Sequence, residues 1–275
     1  MRRLAIQRHV FQIHEPMPDR YADPVSYESY MGRWSRPVAH ALLDWVAVPP
    51  GRRWLDVGCG TGAVIDVILR RAAPSAVFGL DRSAEFVGHA AERLAGDVRV
   101  RVLVGDAQRL PPEIPSDLDA AVSALTLNFV PDSARAVAEM ARVSTGLVAA
   151  YVWDYAEGMQ LLRRFWDAAV ALDPAARELD EGVRFALCRP EPLAALFGTV
   201  LRDVAVRAIE VPTAFRDFDD LWTPFLGGQA PAPGYVATLD DDRRDALRER
   251  LRAMFPAGPI ALTARAWAAR GYAGR

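Results

Sequence analysis

Lysine is absent from this sequence: all 33 basic residues among its 275 residues are arginines. The absence excludes two kinds of enzyme, because the phosphate-binding loop of many nucleotide hydrolases and Schiff-base catalysis both need a lysine. Cysteine is nearly as scarce. The two cysteines, Cys59 and Cys188, supply neither a disulfide framework nor a four-ligand zinc site.

Long apolar runs are missing as well. No stretch approaches the roughly 20 apolar residues that span a bilayer, and the first residues contain no apolar core of the signal-peptide type. The net charge of −2 gives no basic excess of the kind that binds nucleic acid. We therefore expect a cytoplasmic protein whose partners include neither membranes nor nucleic acids.

Short apolar runs alternate with helical periodicity along the chain. Strands are predicted at 53–57, 76–80, 98–104, 119–125, 147–153, 203–211 and 259–268. Apolar strands that alternate with helices form parallel sheets with helices on both faces. The sequence therefore predicts a three-layer, doubly wound α/β fold.

Three regions are predicted within this fold. Residues 1–48 form an N-terminal helical segment that acts as a lid, and residues 49–275 form the main domain. Within the main domain, residues 155–240 form a helical cap that is rich in aromatic residues, Gly and Pro. Its aromatic residues have two alternative roles: they line a pocket for small organic ligands, or they form the core that holds the cap to the sheet.

The most informative motif is Trp-Leu-Asp-Val-Gly-Cys-Gly-Thr-Gly at 54–62, between the first predicted strand and a helix. Glycines at such a turn let main-chain N–H groups approach a ligand closely. Gly58, Gly60 and Ala63 also satisfy the looser dinucleotide-binding pattern G-x-G-x-x-[GA]. Asp56 favours a different ligand, because a carboxylate is repelled by a pyrophosphate and attracted by an ammonium or sulfonium group.

Two further acids follow the next two predicted strands. Asp81 lies 25 residues after Asp56, and Asp106 lies 25 residues after Asp81. A carboxylate at such a strand end accepts hydrogen bonds from both hydroxyls of a ribose. Taken singly, each acid has an alternative role as a helix cap or an exposed loop charge.

Asp56 and the glycine run resemble motif I of the class I S-adenosylmethionine-dependent methyltransferases, and the resemblance spans about residues 50–153. Residues 27–36, Tyr-Glu-Ser-Tyr-Met-Gly-Arg-Trp-Ser-Arg, look like the opening of bacterial ubiquinone-methyltransferase-like enzymes. The resemblance implies a Rossmann-like, mostly parallel seven-stranded sheet with an antiparallel last strand. It also implies S-adenosyl-L-methionine as the cofactor, covered by an N-terminal helix. No carboxylate cluster stands out as a magnesium site, so we expect no metal.

The resemblance places cofactor contacts at the strand ends and in the N-terminal segment. The predicted cofactor-binding residues are Tyr27, Arg33, Trp34, Asp56, Gly58, Cys59, Gly60, Gly62, Asp81, Arg82, Asp106, Ala107 and Ser123. Tyr27 or Trp34 is expected to face the sulfonium through cation–π attraction, and Arg33 to pair with the methionine carboxylate. The alternative for Trp34 is a place beside Tyr30 on one buried helix face.

The predicted reaction is methyl transfer to an O, N or C atom of a small-molecule metabolite, by a monomer or homodimer. Such transfer needs mainly alignment and exclusion of water, and the candidate catalytic residues are His14, Asp154 and Tyr155. Residues 125–131 lack the Asn-Pro-Pro-Tyr-like motif of amino-directed nucleic-acid or protein enzymes. Two alternatives stay open: methylation of RNA or protein, and a non-methylating reaction that uses bound S-adenosylmethionine. Asp56 disfavours a third, a nicotinamide oxidoreductase.

Overall fold

Seven strands form one sheet in the computed structural model of the chain, which describes residues 28–228 and 230–274. The strands are β1 (Arg53–Val57), β2 (Ala76–Asp81), β3 (Val100–Val104), β4 (Leu118–Ala124), β5 (Ser144–Trp153), β6 (Leu201–Phe215) and β7 (Ile260–Ala273). Their order across the sheet is β3-β2-β1-β4-β5-β7-β6. Strands β1 to β5 are parallel, and β7 is antiparallel to both β5 and β6. The predicted mostly parallel, seven-stranded sheet is confirmed.

Helices surround this sheet. In the described ranges the α-helices are α1 (Arg33–Val46), α2 (Ala63–Arg71), α3 (Ala84–Leu94), α4 (Ser133–Val143), α5 (Gln160–Leu172), α6 (Glu181–Arg184), α7 (Pro190–Gly198), α8 (Phe218–Trp222), α9 (Pro231–Thr238) and α10 (Asp241–Arg252). A π-helical turn at Glu28–Gly32 precedes α1, and short 3-10 helices lie at Leu127–Phe129, Pro174–Leu179 and Thr223–Gly227. None of the helices in this part of the chain is both long and apolar enough to span a bilayer.

The strand order reverses between β1 and β4, and a crevice for ligands is expected at this reversal. The chain moves outward from β1 to β2 and β3, then returns to pair β4 with the other side of β1. Loops that follow β1 and β4 therefore leave the sheet in different directions and open a crevice at the carboxyl ends of the strands. Residues Leu147 to Trp153 of β5 are all buried, as expected for a strand covered on both faces.

The two last strands are longer than the sequence predicts. Strand β6 begins at Leu201 and continues through Pro212 to Phe215, and it pairs along its whole length with β7. Proline donates no hydrogen bond to a neighbouring strand and normally ends a strand in the middle of a sheet. Strand β6 is an edge strand, so Pro212 is tolerated there.

Most aromatic residues of the cap form a buried core. Phe165 stacks on Phe225 at a ring-centroid distance of 4.5 Å, and Trp222 lies 6.0 Å from the same ring. Tyr30, from the turn before α1, meets Phe225 edge-to-face at 5.7 Å. These contacts support the second of the two predicted roles, because the rings join the cap and the N-terminal segment to each other.

Candidate functional site

A cavity of about 1000 Å³ lies at the carboxyl ends of β1 to β5. One part, called here the β2–β3 end, is lined by Leu80, Asp81, Arg82, Ser83, Phe86, Val104, Gly105, Asp106, Ala107 and Gln108. The opposite part, the β4–β5 end, is lined by Ala124, Leu125, Thr126, Phe129, Val130, Pro131, Trp153 and Tyr155. Gly58 and Gly60 lie between the two ends, and Met31 contributes from the N-terminal segment.

The glycine turn after β1 is packed tightly between its neighbours. Gly58 has φ of +77°, a conformation that favours glycine. A Cβ added there would lie 2.1 Å from the Thr126 Oγ1 atom, so no other residue fits without displacing the loop after β4. The Gly58 N–H donates to the Leu80 carbonyl at 2.7 Å. The turn therefore brings bare main chain to the cavity wall.

Asp81 joins this turn to the end of β2. Its Oδ2 accepts a hydrogen bond from the Gly60 N–H at 2.9 Å, and its Oδ1 accepts one from the Ser83 N–H at 2.9 Å. Burial raises the pKa of Asp81, and these main-chain donors act in the opposite direction. A carboxylate offers about four lone-pair sites, so Asp81 retains acceptor capacity toward the cavity.

Asp106 lies on the same wall, at the end of β3. Its Oδ1 accepts a hydrogen bond from the Gln108 N–H at 2.9 Å, and this bond lowers the pKa of Asp106. The Gln108 Oε1 in turn accepts from the main-chain N–H of Asp132 at 3.0 Å. The β2–β3 end therefore presents two carboxylates at neighbouring strand ends.

Asp56 lies behind the glycine turn, in β1. It is fully buried, and neither carboxyl oxygen has a hydrogen-bond partner among the described residues. Burial, with a smaller contribution from the charge on Asp81, raises the pKa of Asp56 to about 8. A cation bound at the turn would favour the ionised form of Asp56. This orphaned acid, together with the carboxylates on the wall, fits a ligand that carries both hydroxyl groups and positive charge.

Comparison with known proteins agrees with this geometry. A family model described as a methyltransferase domain matches residues 55–148, which include the glycine turn, Asp81 and Asp106. Residues 55–148 are therefore similar to the methyltransferase domain of that family. This match agrees with the resemblance to the methyltransferases that the motif at 54–62 predicts.

Two curated relatives each match about two fifths of the chain. Nocamycin O-methyltransferase from Saccharothrix syringae is 36% identical over 123 residues, which are 42% of this chain and 42% of the relative. Trans-aconitate 2-methyltransferase from Mycobacterium tuberculosis (strain ATCC 25177 / H37Ra) is 33% identical over 110 residues, 40% of this chain and 39% of the relative. The match thus spans about two fifths of each relative's length.

A solved structure shares the fold across most of the chain. Phosphoethanolamine N-methyltransferase 2 of Haemonchus contortus, in complex with phosphomonomethylethanolamine and S-adenosylhomocysteine, superposes with a TM-score of 0.55 at 17% identity. The alignment covers 90% of this chain and 56% of that protein. At this identity the likeness shows a shared fold and nothing more.

The structure brings six of the predicted cofactor residues to the cavity wall. These are Gly58, Gly60, Asp81, Arg82, Asp106 and Ala107. Three others lie behind the wall. The Ser123 Oγ donates to the Val57 carbonyl at 2.8 Å and so joins β4 to β1. Gly62 caps α2, and Cys59 is buried beneath the turn.

Arg33 and Trp34 are also placed away from the cavity, which corrects their predicted role beside the cofactor. The Arg33 guanidinium donates to the Ala214 carbonyl at 3.2 Å, lies 3.6 Å from the Asp220 carboxylate and stacks over Trp34 at 4.4 Å. Trp34 meets Phe215 edge-to-face at 5.5 Å, as the alternative of a buried helix face predicts. Tyr27 lies outside the described residues.

Of the three candidate catalytic residues, one lines the cavity, one lies away from it and one lies outside the described residues. Asp154 is buried away from the cavity lining, where its Oδ2 accepts from the Arg265 Nε at 2.7 Å and its Oδ1 from the Glu157 N–H at 3.0 Å. This corrects the prediction for Asp154, because the ion pair gives it a structural role in joining β5 to β7. Tyr155 lines the β4–β5 end, and His14 lies outside the described residues.

Several wall residues were missed by the sequence reasoning. Met31, Phe86, Phe129 and Trp153 all line the cavity. Trp153 ends β5, so the rule that ligands bind at the carboxyl ends of parallel strands was sufficient to find it. Met31 had no comparable signal, because the direction of the N-terminal segment depends on its contacts with the cap.

Asp81→Ala tests the predicted cofactor contact at the β2–β3 end of the cavity. We expect its affinity for S-adenosylhomocysteine to fall about ten- to a hundredfold, because hydrogen bonds to a charged group contribute about 1.5–3 kcal/mol. Isothermal titration calorimetry measures the affinity, and circular dichroism checks that the fold is retained. Glu92→Ala, an exposed change on α3, is the control and is expected to bind normally. Unchanged affinity in Asp81→Ala would remove Asp81 from the site.

Asp56→Asn tests the orphaned acid. Its pKa is about 8 in the fold against 3.8 for an ordinary aspartate, so between these values only the unfolded chain has released the proton. Rising pH therefore lowers the free energy of unfolding of the apo protein across this window. The amide stays neutral throughout. The stability advantage of the amide variant should grow from about pH 4 to about pH 8 and amount to several kcal/mol, because each pKa unit corresponds to about 1.36 kcal/mol.

Urea denaturation at a series of pH values measures this difference, with Glu113→Gln, an exposed carboxyl, as the control. The same variant should bind S-adenosylmethionine more weakly, since the amide offers no negative charge to a cation. A pH-independent stability difference would show that Asp56 is ionised in the apo fold.

Proposed function

We propose that this protein transfers the methyl group of S-adenosylmethionine to an oxygen, nitrogen or carbon atom of a small molecule. The observation that carries the proposal is a cavity of about 1000 Å³ with two chemically different ends. Ligand pockets usually measure about 300–1,000 Å³, so this one has room for a cofactor and a second small ligand side by side.

The β2–β3 end suits the nucleoside part of the cofactor. In this proposal Asp81 accepts hydrogen bonds from both ribose hydroxyls, and Asp106 with Ala107 contacts the adenine. The main chain at Gly58 and Gly60 approaches the amino-acid part, with Asp56 behind it as the counter-charge. When bound, S-adenosylmethionine would supply an activated methyl group on its sulfonium, with neutral S-adenosylhomocysteine as the leaving group.

The β4–β5 end is the place for the acceptor. Leu125, Phe129 and Trp153 give it apolar walls that exclude water, and exclusion of water with alignment supplies most of the rate in such a transfer. Tyr155 is the candidate catalytic residue at this end, and its phenol would orient the acceptor through a hydrogen bond. A small-molecule acceptor is also supported by the curated relatives, whose names specify nocamycin and trans-aconitate.

Product analysis tests the proposal. The protein is incubated with methyl-deuterated S-adenosylmethionine and, separately, with a panel of small hydroxyl, amine and carboxyl compounds, with total RNA, or with protein extract. We expect label in a small molecule and equal formation of S-adenosylhomocysteine, with Asp81→Ala as the background control. Label in RNA or protein would overturn the acceptor class. Conversion of a panel compound while S-adenosylmethionine is recovered intact would overturn methyl transfer.

A further inference from the structure

The loop after β3, which carries Asp106 and Gln108, is held by helix α4. Both residues line the β2–β3 end of the cavity. The Gln108 carbonyl accepts a hydrogen bond from the Arg135 Nε at 2.9 Å, and the Leu110 N–H donates to the Glu139 Oε2 at 2.9 Å. Arg135 and Glu139 are four residues apart, so they lie on one face of α4. That face therefore fixes the main chain of the loop.

The side-chain amide of Gln108 makes hydrogen bonds in two directions. Its Nε2 donates to the Asp106 carboxylate, 3.1 Å from Oδ1 and 3.3 Å from Oδ2, and its Oε1 accepts from the Asp132 N–H at 3.0 Å. Asp132 is the N-cap of α4. An amide donates only through its nitrogen and accepts only through its oxygen. Because the N–H at the start of the helix takes the oxygen, the nitrogen is directed at Asp106.

These contacts define what Asp106 offers to the cavity. The main-chain N–H of Gln108 donates to its Oδ1 at 2.9 Å. This bond, the side-chain bond from Gln108 and the charge on Arg82 lower the pKa of Asp106. The carboxyl is therefore ionised at neutral pH, and an ionised carboxylate accepts hydrogen bonds without donating any. Its Oδ2 is engaged only by the 3.3 Å contact and retains acceptor capacity.

An acceptor that cannot donate distinguishes between purines. Adenine has an amino group at position six, which donates a hydrogen bond, whereas hypoxanthine has an oxygen there, which only accepts. A carboxylate held beside this position pairs with the amino group and is left facing another acceptor when the oxygen is present. Polar groups left unpaired in this way give a binding site strong selectivity.

We propose that Gln108 is a positioning residue, whose amide holds Asp106 so that the β2–β3 end selects a purine with an amino group at position six over one with an oxygen there. This inference rests on the proposed function, which places the adenine beside Asp106. The contact with the purine belongs to Asp106, and Gln108 acts through that carboxylate.

The first test compares S-adenosylhomocysteine with S-inosylhomocysteine, which has the oxygen at position six, by isothermal titration calorimetry. We expect wild-type protein to bind the adenosyl ligand about tenfold more tightly. Gln108→Met retains the length of the side chain without its polar atoms. Its affinity for the adenosyl ligand should fall about fivefold, and its affinity for the inosyl ligand should stay unchanged, so that the preference falls to about twofold. No wild-type preference, an equal loss for both ligands, or no loss for either would overturn the inference.

Gln160→Met is the matched control. The Gln160 Oε1 also accepts a main-chain hydrogen bond, from the Thr263 N–H at 2.9 Å, and Gln160 lies outside the cavity lining. We expect the wild-type preference in this variant, and thermal unfolding checks that both variants retain the fold. A fall in preference as large as that of Gln108→Met would overturn the inference, because the effect would then not depend on the bond to Asp106.

Gln108→Glu separates the two bonds of the amide. The new side chain keeps an oxygen for the Asp132 N–H but replaces the donor with a second carboxylate beside Asp106. Like charges at this distance repel or hold a proton between them, so Asp106 loses its fixed place as an ionised acceptor. We expect the preference to fall as far as in Gln108→Met. The wild-type preference in Gln108→Glu would overturn the role of the amide nitrogen.

Asp106→Asn makes the failures of the two proposals distinguishable. Its amide donates as well as accepts, so the preference for the adenosyl ligand should fall if residue 106 contacts the purine. If this variant loses the preference and Gln108→Met does not, only the inference about Gln108 is overturned and the proposed function stands. If wild-type protein binds neither ligand, both are overturned.

Discussion

The site depends on one steric constraint, the close approach of the turn after β1 to the loop after β4. Gly58 lies so near Thr126 that a single Cβ has no room, and its N–H is bonded to the end of β2. This contact holds three strand ends together at the point where the strand order reverses. The contact thus brings the main chain of the turn, Asp81 and the β4–β5 end together around one cavity.

The same packing leaves an uncompensated acid in the core. Asp56 has no partner among the described residues, and its burial works against its ionisation. A buried group of this kind reduces the stability of the apo fold at neutral pH and is compensated when a cation binds nearby. The Asp56 carboxyl therefore lowers the stability of the empty protein and raises its affinity for a cationic ligand. Groups with perturbed pKa values of this kind are common at functional sites.

Much of this arrangement follows from the sequence, because the hydrophobic periodicity of a strand and the residues that follow it are local features of the chain. Asp81, Asp106 and the glycine run each follow an apolar run, and parallel strands bring such ends together. Contacts between segments that are distant in the chain cannot be predicted from such local features. Asp154 follows β5 and is therefore a predicted catalytic candidate, but its ion pair with Arg265, 111 residues away in the chain, does not follow from the local sequence. Trp34 and Met31 are three residues apart, yet one faces Phe215 and the other the cavity.

The central claim is that the carboxylates at the ends of β1, β2 and β3 hold the adenosyl cofactor. A crystal structure of the protein with S-adenosylhomocysteine tests it most directly. The account predicts both ribose hydroxyls within hydrogen-bond distance of the Asp81 carboxylate, the adenine beside Asp106 and the sulfur directed toward Trp153 and Tyr155. A ligand bound elsewhere, or one whose ribose lies at the β4–β5 end, would contradict it.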